Sequence, residues 1–68
     1  MTNAITKFIP HAKAVALAAE MAAADQELSY TASAPNLAGG ACVIATDEAG
    51  RVALIPFVEI ADGEFVAS

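Results

Sequence analysis

Few side chains in this chain are of kinds that do covalent chemistry, and their surroundings decide what each is for. His11 is the sole histidine and follows Pro10. As a general base it would need a nucleophile and an orienting group, and no motif supplies either, so it reads as a solvated residue at a helix start. Cys42 lies mid-strand beside Val43 and Ile44, and the nearby acids Asp47 and Glu48 would not activate it. A small buried hydrophobe is the reading. Ser29, Ser33 and Ser68 stand in no G-x-S-x-G context. Gly39-Gly40 is followed by no lysine and opens no helix, which makes it a turn rather than a phosphate loop. Asp47 with Glu48, and Asp62 with Glu64, lack the D-x-D-x-D-G spacing that gathers six oxygens around calcium. One cysteine and one histidine cannot furnish a zinc site. The expectation is a protein without catalytic residues, cofactor or metal.

The elements that position these residues must fit in 68 residues, which permits one domain. A domain of this size buries only about 60% of the surface its unfolded chain exposes. Small scaffolds add disulfides, a metal or a partner. With a single cysteine, docking or homo-oligomerisation is what remains. At 57% hydrophobic and 16% charged the chain belongs with folded proteins.

Charge is unevenly placed. Residues 1–24 carry Lys7, Lys13 and Glu20, whereas residues 25–68 carry seven acids against Arg51 alone. An acidic surface repels phosphate backbones and attracts basic partners, so direct nucleic-acid binding is not expected. The uncharged runs are shorter than the roughly 20 residues a bilayer requires. Lys7 and Lys13 ahead of AVALAAEMAAA, with Ala22 and Ala24 before Asp25, superficially resemble a secretory signal, but Glu20 interrupts the tract. The expected location is the cytoplasm of the producing cell, or an assembly carried from it.

From Pro10 the sequence HAKAVALAAEMAAADQEL is rich in strong helix formers, which predicts a helix over 10–27 with proline at its first position. Ala14, Leu17, Met21, Ala24 and Leu28 share its apolar face. Residues 1–9 form an N-terminal arm, in which Phe8 and Ile9 anchor the helix start. Residues 28–40 hold a short edge strand, in which Leu28, Tyr30 and Ala32 alternate with polar residues, and then a loop broken by Pro35, Asn36, Gly39 and Gly40. Residues 41–67 read as two antiparallel hairpins. The first pairs Ala41–Thr46 with Arg51–Ile55 through a four-residue loop whose Gly50 needs φ > 0. The second turns at Asp62-Gly63. Pro56 marks an edge, a bulge or a strand end. In the first hairpin Cys42, Ile44, Val52 and Leu54 supply one apolar face, with Val43 and Ile55 on the other. Such a pair needs cover on both faces. The architecture expected is α+β: one N-terminal alanine-rich helix packed on a small antiparallel sheet of three to four strands.

Tyr30-Thr31, Ala38-Gly39-Gly40, Val43-Ile44, Val52-Ala53-Leu54 and Ile60-Ala61-Asp62-Gly63 follow a pattern that resembles small bacteriophage head-decoration proteins over roughly residues 28–67. The resemblance implies binding to the outer face of a capsid lattice as a repeated or trimeric subunit. In size, acidity and lack of a cofactor site the chain is also similar in character to anti-CRISPR proteins, which block basic nucleic-acid grooves by stoichiometric binding. A third option is a generic interaction domain. The surfaces expected to meet a protein partner are the acidic residues Asp47, Glu48, Glu59, Asp62 and Glu64 and the loop residues Asn36 and Leu37.

Overall fold

Alanine makes the helix and also lets it lie close to its support. In the computed structural model, which describes residues 5–68, α1 spans His11–Ala24. Its fully buried positions are Ala14 and Ala18, with Leu17 and Met21 half-buried beside them. Ala24 is exposed, so the buried stripe is shifted from the one expected. Pro10 is not the first helical residue but the N-cap, with ψ of 138°, and lacks a capping side chain. The first helical amide, that of His11, donates instead to the Gly39 carbonyl at 3.1 Å. The helix stops before 27 because Asp25 offers the chain a competing turn. Asp25 is extended, and its carboxylate accepts the Glu27 amide at 3.0 Å and the Tyr30 hydroxyl at 3.0 Å.

The expectation of one sheet built from two hairpins is overturned. Among the described residues there are three small antiparallel sheets. The first joins β3 (Ser29–Ala32), β5 (Val43–Thr46) and β6 (Val52–Leu54). The second pairs β2 (Ile9–Pro10) with β4 (Gly40–Ala41). The third joins β1 (Ile5–Thr6), β7 (Phe57–Ala61) and β8 (Glu64–Ala67). The fold remains α+β. What was read as an arm is, from residue 5 onward, part of two of these sheets.

Three extended segments, 5–10, 40–46 and 52–61, each pair with both of the others. Each is bent, and each bend has a local cause. Thr6 Oγ1 accepts the Phe8 amide and donates to the Phe8 carbonyl, turning the chain between β1 and β2. Between β4 and β5, Ser33 takes both backbone groups of Cys42: its hydroxyl accepts the Cys42 amide at 2.9 Å, and its own amide donates to the Cys42 carbonyl at 2.8 Å. Between β6 and β7 stands Pro56, which has no amide to give a ladder. The bent segments enclose Ile9, Ala41, Val43 and Phe57, and α1 closes the core with Ala14 and Ala18.

Other expectations hold. β3 is an edge strand whose Tyr30 and Ala32 turn toward the core. The 47–50 loop closes through Gly50 at φ +83°, and Asp62-Gly63 forms the two-residue connection of β7 to β8. Cys42 is buried. The apolar faces of the first hairpin divide as expected for Ile44, Val52 and Leu54 against Val43 and Ile55, with Cys42 alone departing into the buried bend between β4 and β5. Val43 and Ala45 point into the core, while Val52 and Leu54 are 66% and 40% exposed.

Candidate functional site

The seven residues expected to meet a partner are not one site. Asp47 and Glu48 sit on the β5–β6 tip, near Glu27 after the helix, and Asp47, Glu48 and Glu27 line one shallow hollow. Glu59, Asp62 and Glu64 belong to the β7–β8 hairpin in a different sheet. Asn36 and Leu37 lie in the loop between β3 and β4.

Several of the seven serve the backbone. The Asp47 carboxylate accepts the amides of Ala49 and Arg51, each at 2.9 Å, and the Arg51 Nε–H at 2.8 Å. That ion pair is largely solvated, since the Arg51 side chain is 83% exposed, so its value is geometric more than electrostatic. Glu59 accepts the Gly63 amide at 2.9 Å and pins the second turn. Asn36 Oδ1 accepts the amides of Ala38 and Gly40, each at 2.9 Å. Glu48, Asp62, Glu64 and Leu37 face solvent.

Leu37 is fully exposed at the tip of a loop held on both sides. Besides the two side-chain bonds of Asn36, its amide donates to the Gly40 carbonyl and its carbonyl accepts the Gly39 amide, each at 2.9 Å. Gly39 completes the turn at φ +83°. The loop rests on the segment before the helix, where Phe8 is 56% exposed: a Cβ placed on Gly40 would be 3.6 Å from that of Phe8. The Asn36 side chain and backbone hold this loop and leave its leucine outside.

The apolar outer faces were missed as candidate sites. Register places Ile44 opposite Leu54 and Thr46 opposite Val52 on the outer side of β3-β5-β6, with Thr31 beyond Ile44. On the third sheet Ile5, Val58 and Val66 form a cross-strand row. A shift of register between Glu59 and Ala61 carries Ile60 out of the ladder. The signal was present in the sequence as runs with too few polar positions, but which face lay open was not.

The residues considered for chemistry are dispersed. His11 opens α1 half-buried, the Ser33 hydroxyl serves Cys42 and the Ala34 carbonyl, and Ser29 is exposed on the edge strand. Among the described residues no three metal-ligating side chains gather, and no helix is long and apolar enough to cross a membrane. Among the described residues the phenol of Tyr30 is raised above its ordinary value, by partial desolvation first, then by its hydrogen bond to Asp25 and the charge there. No protein-family model matches the chain, and no curated protein or solved structure is significantly similar to it.

Proposed function

We propose that this chain is a non-enzymatic protein-binding module that attaches to a larger protein assembly through apolar sheet surface, in the manner of a capsid-decoration subunit. The observation that carries this reading is the outer face of β3-β5-β6, where Leu54 and Val52 are exposed and adjoin the half-buried Ile44 across two strands. Contiguous exposed apolar surface of this kind marks contact sites in small proteins. The domain is also small enough for burial against a partner to add materially to its stability.

The alternative, an acidic inhibitor that fills a basic groove, draws less support. Its carboxylates should converge, yet Asp47 and Glu48 are on one hairpin, Glu59, Asp62 and Glu64 on another, and two of the five are engaged by their own turns.

The test is co-sedimentation from the producing cell. The native chain should travel with a large assembly, as should Asp62→Lys/Glu64→Lys, whereas Val52→Asp/Leu54→Asp should remain with small proteins. The reverse pattern would replace attachment by acidic mimicry, and a native chain found only with small proteins would overturn attachment itself.

A further inference from the structure

A second copy of this chain offers a seat for its most exposed apolar residue. The groove between α1 and the β7–β8 hairpin has a volume of about 380 Å³. Leu17, Ile60, Phe65 and Val66 supply its apolar lining, and Glu20 and Glu64 line it with them. Lys13 also lines it, so the groove carries two carboxylates against one ammonium. Ile60 reaches the groove because the bulge releases it from its ladder.

The 36–40 loop presents Leu37, fully exposed, and rests through Gly40 on the exposed Phe8. Lys7 precedes Phe8, and neither residues 5–10 nor residues 33–40 contain an acid. The knob is thus apolar with a basic flank, and the groove is apolar with a net acidic lining. Charge complementarity of this kind sets orientation and favours the correct encounter. The hydrogen bonds that hold Asn36, Gly39 and Gly40 already fix the loop, so little ordering is left to be lost when Leu37 is buried.

We propose that the Leu37–Phe8 knob of one copy seats in the α1/β7–β8 groove of the next, joining copies head to tail. The inference rests on the protein-binding reading above and adds a partner and a contact to it. Because knob and groove are different patches, the contact is heterologous and repeats into a ring or an open chain. It is smaller than a standard interface, so association is weak and measurable only toward concentrations of roughly 1 mM.

Sedimentation velocity across a concentration series tests it, with folding of every variant checked by circular dichroism. The native chain should grow past a dimer as concentration rises. Leu37→Asp and Ile60→Asp should each stay monomeric alone, because each removes one half of the contact. Mixed in equal amounts they should form a 1:1 dimer that grows no further, since the first retains its groove and the second its knob. Asn36→Ala, which loosens the loop without touching Leu37, should weaken association of the native type. A native chain that stays monomeric, a mixture without the 1:1 species, or a dimer insensitive to Leu37→Asp would overturn the proposal. Should it fail while Val52→Asp/Leu54→Asp still abolishes co-sedimentation with the assembly, the attachment reading stands without self-association. Loss of that discrimination would instead sink the attachment reading.

Discussion

The Tyr30 hydroxyl donates a 3.0 Å hydrogen bond to the Asp25 carboxylate, tying the edge strand β3 to the residue that ends α1. Ionising the phenol would remove that donor and set two negative charges together. The folded chain therefore holds this proton more tightly than the unfolded chain does. The resulting stability is fully present below the ordinary phenol value of about 10 and is lost as pH rises through the higher folded value. Tyr30 is the sole tyrosine, so phenolate absorbance reads it directly. Asp25→Asn should bring that titration back toward the ordinary value, and Tyr30→Phe should flatten the alkaline fall in the urea midpoint.

Phe57 is fully buried where the three bent segments meet. Phe57→Ala should cost ~3–5 kcal/mol, as truncation of a core aromatic does. For a chain of this length total stability is about 3–10 kcal/mol. Urea titration should show a largely unfolded population for the alanine variant and a cooperative, lowered transition for Phe57→Leu.

Gly50 occupies the left-handed region at φ +83°, and a Cβ added there meets nothing within 4 Å. Gly50→Ala should therefore cost only the backbone penalty, ~1–2 kcal/mol, with contacts unchanged. Gly50→Asn should cost less, because asparagine tolerates this conformation. Thermal denaturation of the three proteins orders them.

Asn36→Ala removes the acceptor of the Ala38 and Gly40 amides. Each bond contributes about 0.5–1.5 kcal/mol, so exchange of these two amides should quicken by roughly twofold to tenfold. Amides of β5 should keep their protection. Uniform loss of protection would mean that the loop is coupled to the core rather than held locally.

Much of the local structure was legible in the residues. Alanine density marked the helix, Asp47 through Gly50 and Asp62-Gly63 marked the two tight connections, and the alternation at Tyr30 and Ala32 marked the edge strand. The helix end was misplaced because Asp25, Gln26 and Glu27 are acceptable helix residues by propensity. Only the positions of Glu27 and Tyr30 around the Asp25 carboxylate stop it. Among the expected site residues Asn36 and Leu37 were named together, yet their roles are opposite: one side chain bonds inward to the turn and the other is left in solvent.

Composition and spacing by themselves determined an acidic α+β chain with more apolar strand surface than one small sheet and a helix would cover. These properties depend on residue type and near neighbours along the chain. Tertiary structure alone decided that residues 5–10 join two sheets, that Thr6, Ser33 and Pro56 mark bends which divide the strands into three, and that Val52 and Leu54 face outward while Val43 and Ala45 face inward. Pairing between segments distant in sequence is chosen by which packing best buries Phe57, Ile9 and Val43, a property of the whole chain that no local window contains.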